Sequence, residues 1–182
     1  MANTIHGQTS VQGAEATTIK ITSGGGIAIA LLRLSIGFIF LWAFLDKLFG
    51  LGYATPGARA WISGGSPTKG FLSNVDIGPF QSAFTSIAGT WWADTLFMLG
   101  LLGIGLALTL GVCMRLAAGA GALMYVLMWS VVLPPENNPV IDEHILGAIT
   151  VVALAMLNTG DTWGLGRWWS STDVVQEHPA LR

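Results

Sequence analysis

Three stretches of this 182-residue chain are long and apolar enough to cross a lipid bilayer, and this feature constrains the fold more than any other. They cover residues 27–49, 95–114 and 116–135. A helix needs about 20 mostly apolar residues to span a hydrocarbon core of roughly 30 Å. Only 10% of the residues are charged, whereas soluble domains have about a quarter. The chain is therefore predicted to be an integral membrane protein.

A fourth, shorter apolar stretch over 143–160 can also span if His144 and its neighbours lie at the interface. We therefore predict an all-α fold, with a four-helix transmembrane bundle over 24–170. A mobile polar tail over 1–23 is expected before it, and a polar tail over 171–182 after it. The long first loop should cap the bundle on the outer side. Apolar residues at helical spacing predict a short interfacial helix between Pro79 and Ala88 within this cap.

The distribution of positive charge predicts the orientation. Four spans place both termini on one side of the membrane, and that side has most of the cations outside the first loop: Lys20, Arg115, Arg167 and Arg182. Because Lys and Arg are enriched in cytoplasmic segments, we expect a multi-pass protein of the plasma membrane with cytoplasmic termini.

Glycines recur in the second apolar stretch, at Gly100, Gly103, Gly105 and Gly111. Small residues let helix backbones approach closely in lipid, so close packing is the expected role of these glycines. The alternative is that they leave a slot for a flat ligand.

Arg33 lies about six residues inside the first apolar stretch. An ionised side chain near the bilayer core costs at least ~2.5 kcal/mol, so Arg33 should reach the near interface or find a partner. Asp161 is the candidate partner, and a direct role in binding a ligand head group is the alternative.

The outer end of the predicted bundle is richer in charge. Antiparallel helices should bring six residues to one membrane face: Asp46, Lys47, Asp94, Asp142, Glu143 and His144. An imidazole beside a carboxylate suits proton transfer, which makes His144 and Asp142 a candidate proton-handling pair. The alternatives are that the two acids only favour the positive end of a helix dipole, and that Asp46 and Lys47 are ordinary interface residues.

Other chemistries lack a sequence signal. His6, His144 and His178 lie in three different parts of the chain, so neither a metal site nor a haem site is expected. Cys113 is the single cysteine, which excludes an internal disulfide. The sequence has no phosphate-binding glycine loop and no basic patch for nucleic acid.

Four segments together resemble the DoxX/DoxD family of small four-helix membrane proteins. They are "LLRLSIGFIFLWAFLDKLFG", "WISGGSPTKGFL", "GLLGIGLALTLGVCMRLAAGAGALM" and "NPVIDEHI". The resemblance covers about Leu31 to Trp168, and it is strongest to the DoxD-type subunit of thiosulfate:quinone oxidoreductase. The "GGSPTKGFL" loop combined with "NPVIDEHI" is its most specific part.

This resemblance implies oxidation of thiosulfate to tetrathionate, with electrons passed to membrane quinone and a second small subunit as partner. In such a protein the candidate catalytic residues are Asp94, Asp142 and His144. The candidate substrate-binding residues are Arg33, Asp46, Lys47, Arg59 and Lys69. Among them, Lys47 with Arg59 or Lys69 supplies the positive charge that an anionic sulfur substrate needs. Two alternatives stay open: a non-catalytic membrane subunit that anchors or assembles a redox complex, and a carrier or channel, which the absence of inverted repeats disfavours.

Overall fold

The computed structural model describes residues 23–73, 79–135 and 138–182, and these ranges contain helices and no strand. The expected tail over 1–23 lies outside the described residues except for Ser23, which begins the first helix. The α-helices of these ranges are α1 (Ser23–Phe49), α2 (Lys69–Leu72), α3 (Gln81–Ile87), α4 (Trp91–Leu110), α5 (Met114–Val131), α6 (Glu143–Met156), α7 (Gly166–Ser170) and α8 (Asp173–Glu177). Single 3-10 turns cover Gly57–Arg59, Trp61–Ser63, Thr159–Asp161 and Pro179–Leu181.

Three of these helices, α1, α4 and α5, are long and apolar enough to cross a membrane. Their large apolar side chains lie on outward faces as well as inward ones, and Phe38 is 60% exposed and Leu96 63%. A helix that is apolar on all sides is typical of a membrane span. The 14 residues of α6 extend only about 21 Å. The structure therefore supports a helical membrane protein with three candidate spans.

The helix ends differ from the predicted boundaries. Helix α4 runs from Trp91 to Leu110 instead of 95–114, because Gly111 adopts a left-handed conformation at φ 74° and its N–H donates to the carbonyl of Ala107. A left-handed glycine is a common way to end a helix. Helices α5 and α6 likewise end at Val131 and Met156, before the predicted 135 and 160. The short helix predicted between Pro79 and Ala88 is present as α3.

The long helices pack as antiparallel neighbours, α1 on α4, α4 on α5 and α5 on α6. Glycines make the first of these contacts possible. A Cβ atom on Gly105 would lie 2.8 Å from Cγ of Leu41, and one on Gly37 would lie 2.6 Å from Oγ1 of Thr109. The packing role predicted for Gly105 is therefore confirmed. The buried apolar core between the four helices includes Ile36, Phe40, Met98, Leu101, Ile104, Leu108, Val151 and Leu154.

The segment predicted as a polar tail over 171–182 is folded onto the start of α5. Its Val175 is buried, and the Trp169 indole Nε1 donates to the carbonyl of Leu181 at 2.7 Å. The Arg115 N–H donates to the main-chain oxygen of Arg182 at 2.9 Å. Val175 thus gives this otherwise polar segment a buried apolar contact, whereas Val174 is exposed.

Arg33 is completely buried at this same end of the molecule. Its Nη1 donates to the carbonyl of Leu108 and, at 3.0 Å, to that of Thr109. Its Nη2 donates to the carbonyls of Thr162 and Trp163, both at 3.0 Å. Leu108 and Thr109 belong to the last turn of α4, whose free carbonyls and negative dipole end favour a cation. One guanidinium thus joins α1 to the end of α4 and to the segment after α6.

The partner predicted for Arg33 was therefore wrong. The Asp161 carboxylate is paired with Arg182 at 3.1 Å, and Arg33 contacts backbone oxygens instead. Gly160 and Gly164 allow this arrangement. A Cβ atom on Gly160 would lie 2.2 Å from the carbonyl oxygen of Gly111, and one on Gly164 would lie 3.1 Å from Nη2 of Arg33.

We predict that Arg33→Met strongly destabilises the protein in detergent micelles. The substitution keeps the bulk of the side chain but leaves four carbonyls without their donor, which should cost at least about 3 kcal/mol because hydrogen bonds to charged groups are worth about 1.5–3 kcal/mol each. Arg33→Lys should rescue little, since an ammonium has three donors and no planar fork. Thermal unfolding measures the effect, with the exposed Arg167→Met as control, and equal midpoints for the Arg33→Met and Arg167→Met proteins would contradict it.

Candidate functional site

The charged residues predicted to share one membrane face do lie at one end of the helices. Gly100 of α4 faces Met124 of α5, and Gly147 of α6 faces Tyr125 of α5. These contacts place the starts of α4 and α6 beside the second half of α5. Lys47 near the end of α1 lies over the Phe97 ring of α4, so the end of α1 is at the same end of the molecule. The structure then allows each polar side chain at this end to be followed to its partners.

Asp46 is buried near the end of α1 and is used by the first loop. Its two carboxylate oxygens accept hydrogen bonds from the N–H groups of Tyr53 at 3.2 Å and Ala54 at 3.1 Å. The Tyr53 ring in turn packs edge-on against Trp42, with centroids 5.1 Å apart. Asp46 therefore fixes the path of the chain as it leaves α1.

Asp94 plays a similar part at the start of α4. Its Oδ1 accepts from Ser66 Oγ at 2.8 Å, from the Thr68 N–H at 3.0 Å and from Thr68 Oγ1 at 2.6 Å. Thr68 Oγ1 also accepts from the Gly89 N–H at 3.1 Å. Asp94 thus attaches the "GGSPTKGFL" loop to α4, and Asp94, Ser66 and Thr68 are buried or partly buried.

Asp142 begins α6 and holds His144. Its Oδ1 accepts from the N–H groups of His144 at 3.0 Å and Ile145 at 3.2 Å, and its Oδ2 lies 2.8 Å from His144 Nδ1. The two side chains are 10% and 13% exposed. Burial raises the pKa of the Asp142 carboxyl, but the hydrogen bonds from the His144 ring and from these N–H groups outweigh burial, so the pKa lies below its usual value.

The His144 ring is oriented by this contact. When Nδ1 donates to Asp142, a neutral imidazole keeps Nε2 as a free acceptor. The ring also lies edge-on to Tyr125, whose own ring packs against Phe40 of α1. The predicted pairing of His144 with Asp142 is present. Asp142 also caps the start of α6, which was the alternative role, so the same carboxylate does both.

Asp142, Glu143 and His144 also form a group of possible metal ligands that the sequence spacing did not suggest. One ligand atom from each lies within 4.8 Å of the others. Glu143 is exposed, however, and both oxygens of Asp142 already accept hydrogen bonds. An ion at this group would share the Asp142 oxygens with these hydrogen bonds, while His144 Nε2 stays available.

The predicted cations are divided between the two ends of the molecule. Lys47 Nζ lies 6.0 Å from the centroid of the Phe97 ring. Arg59 and Lys69 are exposed in the first loop, and Nη1 of Arg59 lies 3.8 Å from the place a Cβ atom of Gly70 would take. Arg33 lies roughly 20 Å along α1 from Asp46, at a rise of about 1.5 Å per residue, and does not share a site with the others.

An apolar groove between α4 and α5 is the feature that sequence reasoning missed. This α4–α5 groove has a volume of about 490 Å³. Residues of the first loop around α2 and α3 line one end of it. Its lining is Pro67, Thr68, Phe71, Leu72, Phe84, Ile87, Trp92, Ala93, Leu96, Phe97, Gly100, Ile104, Ala120, Leu123, Met124, Leu127, Met128 and Val131. The only signal in the sequence was Gly100, one of the glycines considered for a slot.

The groove lies beside the polar residues without containing them. Phe97 lines it and contacts Lys47, and Met124 lines it while the next residue, Tyr125, contacts His144. Thr68, which is bonded to Asp94, is the most polar residue of the lining. The groove can hold an apolar molecule beside Phe97 and Lys47, while the His144–Asp142 pair lies beyond Tyr125, outside the lining.

Comparison with protein-family models, characterised proteins and solved structures finds no significant match to this chain.

We predict that Asp94→Ala frees the loop over residues 66–73. The substitution removes the acceptor of three hydrogen bonds, and a buried bond to a charged acceptor is worth about 1.5–3 kcal/mol, so amide hydrogen exchange in this segment should be at least about tenfold faster. Asp94→Asn should be intermediate, because one acceptor oxygen remains. Thr95→Ala is the control, since its hydroxyl bonds only the Trp91 carbonyl of its own helix. Equal exchange rates in Asp94→Ala and Thr95→Ala proteins would refute the attachment.

Proposed function

We propose that this chain is a DoxX/DoxD-type membrane subunit of a thiosulfate:quinone oxidoreductase. In this reaction two thiosulfate dianions join through a new S–S bond to give tetrathionate and release two electrons. A membrane quinone takes up these electrons with two protons to give the quinol. The electrons pass either directly between the bound substrates or through a centre in a second small subunit.

The proposal includes α6 as a fourth span, in a bundle capped on the outer side by the first loop and with cytoplasmic termini in the plasma membrane. Helix α6 packs along α5 and presents apolar Leu146, Ile149 and Met156 outward, as the candidate spans do. Val140 and Ile141 before it are also exposed and apolar, but Asp142 and Glu143 separate them from the apolar part of α6. A local thinning of the bilayer would accommodate the mismatch.

The α4–α5 groove is the observation that carries the proposal. Ligand sites commonly have volumes of about 300–1,000 Å³ and mostly apolar linings. This groove lies between two helices that can cross the membrane, so a molecule dissolved in lipid can enter it from the side. An isoprenoid quinone tail has the required chemistry. We assign the groove to the tail, with the quinone ring towards the loop end.

The Asp142–His144 pair supports the proton chemistry. Reduction of a quinone requires a proton at each of its two oxygens, and His144 Nε2 is the one ring nitrogen that this contact leaves available. His144 does not line the groove, so it would act at the mouth or through a water. Asp94 is proposed only to position the loop, because its hydrogen bonds occupy it.

Lys47, Arg59 and Lys69 support the binding of an anionic sulfur substrate. A dianion needs positive charge near the aqueous face of the membrane. Lys47 lies against Phe97 of the groove, and the other two cations are exposed in the loop that covers it. Oxidation of thiosulfate at this end would place it beside the quinone ring.

A non-catalytic anchor or assembly subunit is the second candidate. A specific observation favours it: Asp46, Asp94 and Arg33 all use their hydrogen-bonding groups on this chain's own backbone or loop. In that case the polar end would be a docking surface for a partner subunit.

The test is thiosulfate-dependent quinone reduction by the purified protein, with and without co-purifying subunits. Gly100→Leu should fill the α4–α5 groove, because a Cβ atom there already lies 2.4 Å from the Met124 methyl. It should raise the KM for an isoprenoid quinone at least about tenfold and alter the KM for a tail-less quinone little. Gly103→Leu on the same helix is the matched control, since its Cβ atom would meet nothing within 4 Å.

His144→Ala separates the two candidates. General acid–base catalysis typically contributes about 10²- to 10⁴-fold to a rate, so kcat of the His144→Ala protein should fall by that factor. The control, Glu143→Ala at an exposed residue, should keep the kcat of the parent. Equal and small effects of both substitutions, in protein that folds and inserts, would favour the anchor subunit over the enzyme.

A further inference from the structure

A second groove lies between α5 and α6 at the end of the molecule that holds Arg33 and the C-terminal segment. This α5–α6 groove has a volume of about 520 Å³, and it does not share lining residues with the α4–α5 groove. Its lining is Arg115, Ala118, Gly119, Val152, Ala155, Met156 and Asn158.

Small residues make the space. Ala118 and Ala155 form the buried floor, and a Cβ atom on Gly119 would meet nothing within 4 Å. The apolar Val152 and Met156 flank it, and Met156 is 78% exposed. All of these residues belong to the first turns of α5 or the last turns of α6. The groove is therefore open sideways, on a face that is apolar.

Arg115 supplies a cation at the polar end of this groove. Its Nη1 donates to the carbonyl of Pro179 at 3.0 Å, and no carboxylate side chain of the described residues forms a salt bridge with it. The other exposed arginines at this end are engaged with Asp161, Arg182 with its carboxylate and Arg167 with its carbonyl, and the buried Arg33 is bonded to backbone carbonyls. The amide side chain of Asn158 lines the same groove and offers a further donor.

We propose that the α5–α6 groove binds an anionic phospholipid, with the phosphate on Arg115 and Asn158 and an acyl chain along Gly119, Val152 and Met156. Basic pockets between membrane helices are suited to acidic headgroups. Arg115 lies in the first turn of α5, at the depth of a headgroup, and Gly119 lies about 6 Å deeper. A free anion would use the arginine but leave the apolar part of the groove empty. This inference is independent of the proposed function.

The experiment is thermal unfolding of the detergent-purified full chain during titration with phosphatidylglycerol or with phosphatidylcholine of the same acyl chains. A lipid that binds the folded state raises the unfolding midpoint. Phosphatidylglycerol should raise it at concentrations at least about tenfold lower than phosphatidylcholine. Arg115→Gln should abolish this preference, and Gly119→Leu should weaken the response to both lipids.

Two matched controls keep the result specific. Arg167→Gln removes a cation at the same end but outside the groove, and Gly103→Leu adds the same bulk to an exposed helical glycine elsewhere. Both should respond like the parent. The proposal is overturned if the parent does not distinguish the two lipids, or if Arg115→Gln matches Arg167→Gln. If Arg115→Gln does not fold, the Gly119→Leu protein decides the test. The proposal is overturned if its unfolding midpoint responds to both lipids as that of the parent does. Soluble glycerol phosphate that reproduced the shift would identify a free-anion site instead.

Discussion

A buried guanidinium with backbone carbonyls as its partners is the interaction on which the helix arrangement depends. Arg33 holds the end of α4 and the segment after α6 against α1, and no water or lipid headgroup can replace these bonds because the side chain is completely buried. In a bilayer, backbone oxygens that lose their partners cost several kcal/mol each. A single residue of an apolar helix therefore fixes three segments at one end, where the glycines at 111, 160 and 164 allow them to approach.

The opposite end is organised by carboxylates that accept from backbone N–H groups. Asp46 and Asp94 attach the first loop at its two ends, and Asp142 begins α6. Asp46 and Asp94 thereby hold the loop over the α4–α5 groove, while Asp142 both caps α6 and orients the His144 ring. Fewer groups are consequently available for chemistry at this end than its six charged residues suggest. They are the oriented imidazole of His144 and the cations in and beside the loop, next to an apolar groove.

The sequence predicted the helices well because hydropathy over about 20 residues is set by the membrane itself. It predicted the pairing of Asp142 with His144 because the two residues are neighbours in the chain. It did not predict where α4 ends, which depends on the conformation of Gly111. The partners of Arg33 were missed because backbone carbonyls leave no sequence signature, and Asp161 was the only acid in reach. The groove was missed because its lining residues resemble any lipid-facing or core residue until the spacing of two helices is known.

The central claim is that a quinone tail occupies the α4–α5 groove, and photolabelling in membranes tests it most directly. A quinone with a photoreactive group on its isoprenoid tail would be irradiated with the membrane-inserted protein, and the labelled peptides identified by mass spectrometry. Our account predicts labels on groove residues of α4 and α5, such as Phe97, Met124 and Met128, that disappear in excess unlabelled quinone. Labels concentrated on α1 or α6, or labels that excess quinone does not displace, would contradict it.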